Sequence, residues 1–152
     1  MKKSAQTKLI VNRRARFDYE LGETVNVGIV LAGPEVRAVR DGRVSLRGAF
    51  VTLKNDELWL NNASFTLAAR AGDAENVVDT HPRKLLARRR EIATFGASKD
   101  AGLTIVPLHM TTNTRYIKVG IAAAKGKKLY DKRETIKRRD SEREAQRQLK
   151  QR

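Results

Sequence analysis

Apolar residues stand at every second position in several short segments of this chain, and this spacing restricts the fold more than any other feature. In segment 24–31 the apolar positions are Val25, Val27, Ile29 and Leu31. The same spacing recurs at Val51 and Leu53, at Leu58 and Leu60, at Leu103 and Ile105, and at Ile117, Val119 and Ile121. Successive side chains of a strand point to opposite faces, so each segment predicts a strand with one buried face. Together they predict a mainly β protein with short helices, folded as a small antiparallel β-barrel that leaves no free strand edge.

Helix signals interrupt the predicted strands at three places. Asn12 predicts the start of a short helix that ends at Tyr19, because its side chain can cap the first turn. Pro34 predicts the first turn of a second helix, which Gly42 closes. A third helix is predicted after Pro82. The apolar stripe of that helix consists of Leu85, Leu86, Ile92 and Phe95.

The composition of the remaining segments predicts a turn, a surface loop and a basic tail. Segment 54–57 (Lys-Asn-Asp-Glu) predicts a hairpin turn, and the polar segment 68–80 predicts a surface loop. Segment 125–152 contains 12 basic and 5 acidic residues and few apolar ones, so burial cannot offset the entropy cost of ordering it. We therefore expect a flexible amino terminus over 1–7, a barrel over 8–124, and a basic tail over 125–152 that is disordered when free and helical against its partner.

The charge balance indicates the kind of partner. The 152 residues include 32 Lys and Arg and 17 Asp and Glu, for a net charge of +15, which predicts a polyanionic partner. The absence of cysteine excludes disulfides, a thiolate nucleophile and a zinc site built on sulfur. Two histidines at unrelated positions predict no metal site. The sequence also offers no apolar stretch for export or for membrane insertion, so we expect a cytoplasmic protein.

Clusters of basic residues narrow the partner to RNA. The clusters are Arg13 to Arg16, Arg83 and Lys84, Arg88 to Arg90, Lys125 to Lys128, and Lys132 and Arg133. Phe17, Tyr19 and Tyr130 stand beside two of these clusters, as in proteins that hold phosphates with cations and stack bases on rings. RNA is favoured over DNA because the sequence has no helix-turn-helix or zinc-finger pattern. An enzyme such as a phosphodiesterase is the alternative of another class, but no paired carboxylates or activated nucleophile support it.

Four motifs also resemble a known family. They are Asn12 to Tyr19 (NRRARFDY), Gly28 to Arg37 (GIVLAGPEVR), Arg83 to Leu86 (RKLL) and Ala124 to Glu134 (AKGKKLYDKRE). In their order and spacing, from about Leu9 to the carboxyl end, the chain resembles the SsrA-binding protein (small protein B) family, for which the last motif is the most specific.

The resemblance implies a fold and a function. It implies a barrel with an OB-fold-like core that binds the tRNA-like domain of transfer-messenger RNA (tmRNA, also called SsrA RNA) and stands in for the anticodon arm that this RNA lacks. The tail would enter the ribosome and contact ribosomal RNA of the decoding region, so that stalled ribosomes are rescued by trans-translation. No catalysis, cofactor, metal, membrane or small-molecule substrate is implied. The alternative is a ribosomal or other small-barrel RNA-binding protein.

The basic clusters and the resemblance together give two sets of candidate residues. The RNA-binding set is Arg13, Arg14, Arg16, Phe17, Tyr19, Asn26, Glu35, Arg83, Lys84, Leu86 and Lys118. The ribosome-binding set in the tail is Lys125, Gly126, Lys127, Lys128, Tyr130, Asp131, Lys132 and Arg133. The chain departs from the family pattern at Asn26, where a carboxylate is typical, and at Phe17, where histidine is common. A phenyl ring can still stack on a base but cannot donate a hydrogen bond.

We predict that RNA binding depends strongly on salt. Each phosphate that a lysine or arginine neutralises releases counterions, so the logarithm of affinity should fall with the logarithm of salt concentration by roughly 0.7 to 0.9 per contact. Binding to the tRNA-like domain, measured over a salt series, tests this. Lys118→Ala should weaken binding and substitutions confined to the tail should not, whereas a flat salt response would contradict the electrostatic argument.

Overall fold

The computed structural model describes residues 9–71, 75–112 and 115–151. The expected flexible segment 1–7 lies outside the described residues. The strands are β1 (Leu9–Val11), β2 (Tyr19–Ile29), β3 (Val44–Ser45), β4 (Phe50–Lys54), β5 (Glu57–Asn61), β6 (Ser64–Leu67), β7 (Val77–Asp79), β8 (Arg83–Leu86), β9 (Thr104–Thr111) and β10 (Lys118–Gly126). The helices are α1 (Arg13–Asp18), α2 (Gly33–Arg40), α3 (Arg89–Asp100) and α4 (Leu129–Lys150).

Most strands form one antiparallel sheet that closes on itself. The strand order is β1-β9-β10-β2-β8-β5-β4, and a further pairing of Val51 with Ile105 joins β4 back to β9. Six strands therefore form a ring, which confirms the predicted mainly β, antiparallel architecture. A smaller sheet with the order β3-β6-β7 packs beside it.

The main hydrophobic core fills the ring. Its fully buried members include Leu58, Leu60, Val119 and Ile121, and it also holds the aromatic ring of Phe65. These side chains come from the alternating segments of the sequence, because alternate positions of β5 and β10 face inward. The predicted hairpin is also confirmed. Asn55 and Asp56 have positive φ angles of 51° and 56°, as a two-residue type I′ turn requires.

A second, smaller core lies under α1 on the outer side of the sheet. Ala15 of α1 packs there against Val106, Leu108, Ala122 and Ala124 of β9 and β10. Buried Asn12 fixes this helix in place: its Oδ1 accepts from Ala15 N at 3.2 Å, and its Nδ2 donates to the carbonyls of Leu46 at 3.0 Å and Pro107 at 2.9 Å. The predicted cap is confirmed, and α1 covers one end of the β9–β10 pair.

The second predicted helix is confirmed as α2, which begins at Gly33 and Pro34. Glu35 Oε2 accepts from the N–H of Ala32 at 2.8 Å and so satisfies a free donor at the helix start. Gly42 follows the helix with a φ of 75°, a conformation that suits glycine.

Two sequence predictions were wrong. The motif Arg83–Leu86 is strand β8 rather than the start of a helix, and α3 begins only at Arg89. The motif pairs with β2 on one side and with β5 on the other, so inter-strand hydrogen bonds override its helical propensity. The predicted loop 68–80 contains strand β7, Val77–Asp79, which pairs with β6.

The tail begins as a continuation of the sheet. Strand β10 runs to Gly126, two residues beyond the expected end of the barrel at residue 124. Helix α4 then extends over 22 residues, none of which is buried. The tail therefore starts from a fixed strand and leaves the barrel as a solvent-exposed helix.

We predict that Phe65→Ala destabilises the fold by about 3 to 5 kcal/mol, because it leaves a cavity in the core. It also removes the ring that the buried Arg83 guanidinium covers at 3.7 Å. Urea unfolding measures the change. Phe50→Ala is the matched control: this ring is 41% exposed and should cost less than about 1 kcal/mol. Similar costs for the two variants would contradict the assigned core.

Candidate nucleic-acid interface

Part of the outer face of the sheet is left uncovered by α1, and a first row of paired residues crosses it. The row runs through Thr111, Lys118, Gly28 and Leu86 on β9, β10, β2 and β8. Lys118 is exposed and Leu86 is 54% exposed. The structure thus brings two predicted RNA contacts, Leu86 and Lys118, to the two sides of one glycine. A neighbouring row consists of Val11, His109, Gly120 and Asn26. We call the surface that the two rows form the open face.

A groove of about 350 Å³ runs beside this row. Leu86 and Lys118 line it together with Leu31, Val36 and Tyr116. Tyr116 is 68% exposed, and the guanidinium carbon of Arg115 lies 5.8 Å from the centre of its ring. The sequence reasoning missed Tyr116, although an aromatic residue between Arg115 and Lys118 is the same signal that singled out Phe17.

A second row crosses the open face next to the first. It consists of Val11, His109, Gly120 and Asn26 on β1, β9, β10 and β2. Asn26 is exposed, and its Oδ1 accepts from Nε2 of His109 at 3.1 Å. The predicted contact Asn26 therefore lies on the same surface as Leu86 and Lys118. His109 was not predicted to belong to an RNA site.

Two other predicted contacts, Glu35 and Arg83, are buried. Arg83 Nε donates to Glu35 Oε1 at 2.9 Å, and Nη2 lies 2.8 Å from the same oxygen at an angle that does not make a hydrogen bond. Arg83 Nη1 donates to the carbonyl of His81 at 2.8 Å. Their side chains are 6% and 1% exposed, so the pair joins α2 to β8 inside the fold and offers no surface to RNA.

Three residues of the same network form a group of potential metal ligands in the described part of the chain. Ligand atoms of Glu35, Asp79 and His81 lie within 4.8 Å of one another. However, Nη2 of Arg83 is 2.8 Å from Glu35 and 3.7 Å from Asp79, so a guanidinium already supplies the positive charge. The backbone N–H of His81, and then its ring, bond to the Asp79 carboxyl and hold its pKa below the ordinary value. These residues do not fit a metal ion.

The neighbouring Lys84 is engaged on the surface. Its Nζ lies 2.6 Å from Glu57 Oε1, and both side chains are 39% exposed. An ion pair this exposed is worth at most about 1 kcal/mol. Lys84 can therefore exchange Glu57 for a phosphate at little cost.

The remaining predicted residues gather at a second surface, formed by α1 and the start of the tail. Arg13, Arg14 and Arg16 are exposed on α1, whereas Phe17 and Tyr19 are half-buried. In the tail, Lys127 and Lys132 are half-buried beside α1. The exposed tail candidates are Lys125, Gly126, Lys128, Tyr130, Asp131 and Arg133. We call this group of α1 and residues 125–133 the tail surface.

Backbone and side-chain contacts attach the tail to α1. The N–H of Lys127 donates to the carbonyl of Asp18 at 2.9 Å, and Lys127 Nζ donates to the carbonyl of Arg16 at 3.3 Å. Lys132 Nζ lies 3.2 Å from Asp18 Oδ1. Partial burial raises the pKa of the Asp18 carboxyl, but its hydrogen bonds from Arg14 and Lys132 outweigh burial and hold that pKa below its ordinary value.

The two surfaces lie at opposite ends of the β2–β10 pair. Lys118 is opposite Gly28 at one end, and Gly126 is opposite Tyr19 at the other. Gly126 is eight positions after Lys118 along β10, which corresponds to roughly 26 Å at about 3.3 Å per residue. The candidate residues therefore form two separate interfaces rather than one.

A β-ring of this kind, with cations and exposed rings on two surfaces, is typical of small-barrel RNA-binding proteins. The family model described as "SmpB: SmpB protein" matches residues 9–151. The chain therefore belongs to the SmpB family, the SsrA-binding proteins.

Similar proteins agree with this membership. The chain is 45% identical to the SsrA-binding protein of Trichodesmium erythraeum (strain IMS101) over 99% of this chain and 98% of that protein. It is 46% identical to the SsrA-binding protein of Chloroflexus aggregans (strain MD-66 / DSM 9485), over 93% of this chain and 90% of that one. A solved structure described as "tmRNA-SmpB: a journey to the center of the bacterial ribosome" contains a chain 40% identical to this one. That chain matches with a TM-score of 0.64 over 80% of this chain and 85% of its own length.

None of the helices in the described part of the chain is long and apolar enough to cross a bilayer.

We predict that Asp18→Asn loosens the first turns of α4. The ion pair with Lys132 is only partly exposed and is worth about 0.2 to 1 kcal/mol, so hydrogen exchange of amides 129–135 should accelerate a few-fold. Because folding lowers the pKa of Asp18, the wild-type contact is fully present above the ordinary value of 3.8 and is lost as the pH falls through the lowered pKa of the folded protein. The control is Glu142→Gln, which removes an exposed pair with Arg138 farther along α4. Equal exchange in the wild type and both variants at pH 7 would contradict the contact.

Proposed function

We propose that this chain is an RNA-binding adaptor that binds the tRNA-like domain of tmRNA and delivers it to stalled ribosomes for trans-translation, in place of an anticodon arm. Membership of the SsrA-binding proteins supports the RNA partner, and the likeness to a chain of a tmRNA–SmpB ribosome structure supports the ribosome as the second partner. The observation that carries the proposal is the pair of separate surfaces at the two ends of the β2–β10 pair, because an adaptor must hold two partners at once.

We assign the open face to the tRNA-like domain. Lys118 supplies a cation for a phosphate, and the exposed side chains of Leu86 and Tyr116 supply apolar area for an unstacked base or a ribose. Gly28 has no side chain between Lys118 and Leu86, so an RNA strand can approach the backbone there. Each of these features suits folded RNA, which proteins recognise by shape and by exposed bases.

We assign the tail surface to ribosomal RNA of the decoding region. Arg13, Arg14 and Arg16 add charge next to the tail, and Tyr130 is 69% exposed and free to stack on a base. Phe17 lies beside the tail helix, where the Arg139 guanidinium carbon is 5.8 Å from its ring. The RNA-binding residues of α1 thus act with the tail and not with Leu86 and Lys118.

We further propose that α4 is only partly formed in the free protein and becomes fully helical on the ribosome. The helix buries none of its 22 residues, and most of the stability of a helix in a protein comes from packing of its apolar face. Ribosomal phosphates would neutralise its basic residues and so offset the cost of ordering it. The adaptor acts in the cytoplasm, where the ribosomes are, and it needs no catalytic group or cofactor because it neither makes nor breaks a bond.

We predict that removal of the tail separates the two activities. A chain that ends at Lys128 keeps β10 complete and should bind the tRNA-like domain as tightly as the full chain, but it should support no tagging on stalled ribosomes. Joint replacement of Tyr130, Asp131, Lys132 and Arg133 by alanine should have the same effect. Filter binding and a reconstituted tagging assay measure the two activities.

Two further variants complete this experiment. A scrambled tail of equal charge should fail in tagging, and full activity of that variant would show that charge alone matters. Lys118→Ala should weaken binding of the tRNA-like domain while leaving the tail intact. The RNA should stay the same length in every reaction, with and without divalent metal, and cleavage that requires His81 or His109 would contradict the adaptor function.

A further inference from the structure

His109 stands on the open face because of an irregularity in β9. Gly120 of β10 is paired with His109, but the next residue, Ile121, is paired with Pro107, so one residue of β9 is extra. Ile105 and Met110 lie in the main core, whereas Leu108 packs under α1 in the second core. The bulge therefore lets the neighbouring residues Leu108 and His109 both point away from the main core. Bulges often reorient one functional side chain in this way.

Gly120 provides the space in which the imidazole lies. A Cβ atom built on Gly120 would be 2.2 Å from Cε1, 2.5 Å from Nε2 and 2.8 Å from Nδ1 of His109. These are the three nearest atoms, so the ring occupies the space that a side chain of residue 120 would need. No other residue type at position 120 would leave the ring where it is.

The ring crosses β10 to reach Asn26 on β2. Nε2 of His109 lies 3.1 Å from Oδ1 of Asn26, and an amide oxygen can only accept, so Nε2 carries the proton. The bond occupies the oxygen of Asn26 and leaves its two N–H donors available on an exposed residue. The three residues stand in one row, next to the row of Lys118 and Leu86.

We propose that His109 is a positioning and specificity residue of the open face, which fixes the Asn26 amide with its NH2 group toward RNA so that it selects a hydrogen-bond acceptor. This rests on the proposed binding of the tRNA-like domain. The acceptor is an RNA oxygen that carries no hydrogen, either a phosphate oxygen or a base carbonyl. A carboxylate at position 26 would present acceptors only and would require a donor from the RNA. The His109–Asn26 pair instead presents donors and requires an acceptor from the RNA.

The arrangement is tested with the free protein first, which needs no RNA. The side-chain NH2 resonances of Asn26 and the ring nitrogens of His109, observed by 15N NMR, should show a protonated Nε2 and an ordered amide. His109→Ala should shift and broaden the Asn26 NH2 resonances, while His81→Ala, which removes the other histidine, should leave them unchanged. Asn26 resonances that are the same with and without His109 would overturn the proposal.

Binding of the tRNA-like domain then tests the role in recognition. His109→Ala should weaken binding about 3- to 10-fold, as expected for a lost net hydrogen bond. His109→Gln should recover most of this loss, because a glutamine amide can donate to Oδ1 in place of Nε2. Asn26→Asp should bind more weakly than His109→Ala because it replaces donors by a negative charge. Wild-type binding by the His109→Ala variant would overturn the proposal, whereas failure of the wild type itself to bind would instead contradict the proposed function.

Gly120→Ala provides an independent check through the same ring. Its new methyl group collides with His109, so Gly120→Ala should lose as much affinity as His109→Ala, and the double variant should lose no more than either. Two losses that add would show that Gly120 acts without His109 and would contradict the arrangement. Urea unfolding of each variant confirms that the compared proteins are folded.

Modified RNAs distinguish the two kinds of acceptor. Single methylphosphonate linkages remove the charge and one oxygen of a phosphate, and base analogues remove a carbonyl oxygen. One such change should weaken wild-type binding but have no effect on the His109→Ala variant, and the class of that change identifies the acceptor. If no phosphate or carbonyl change discriminates between the two proteins, the proposed contact does not exist.

Discussion

The antiparallel pairing of β2 with β10 is the interaction on which the rest of the structure depends. Residue pairs run along it from Lys118 and Gly28 to Gly126 and Tyr19. On its inner side, Val27 pairs with Val119 and contributes to the main core. On its outer side, one end is covered by α1 and the other is open. A single pair of strands thus fixes the core, the separation of the two surfaces and the point at which the tail leaves the barrel.

Much of the fold could be predicted from the sequence because its strands bury one face and therefore alternate visibly. The error at Arg83–Leu86 has a specific cause. Leu85, Leu86, Ile92 and Phe95 have helical spacing, whereas the strand alternates the buried residues Arg83 and Leu85 with the more exposed Lys84 and Leu86. Arginine is seldom buried without a partner, and the partner here, Glu35, is 48 positions away in the sequence. The pairing that makes this strand possible was therefore not visible in the local pattern.

The candidate site was predictable to a similar degree. Leu86 and Lys118 came from the family resemblance, and the structure brings them together; Glu35 and Arg83 were named with them but are buried. His109 could not have been found, because the bulge that exposes it depends on pairing with β10 and leaves no mark in the sequence. The division of the basic residues into two surfaces also required the strand register, since Arg13 and Lys118 are equally good phosphate ligands when read as sequence.

The central claim is that two separate surfaces hold two different RNAs at the same time. The most direct measurement is site-specific crosslinking in the complex of the protein, tmRNA and a stalled ribosome, with a photoreactive amino acid at position 86 in one preparation and at position 130 in another. Position 86 should crosslink to the tRNA-like domain of tmRNA, and position 130 to ribosomal RNA of the decoding region. Crosslinks from both positions to the same RNA molecule would contradict the account.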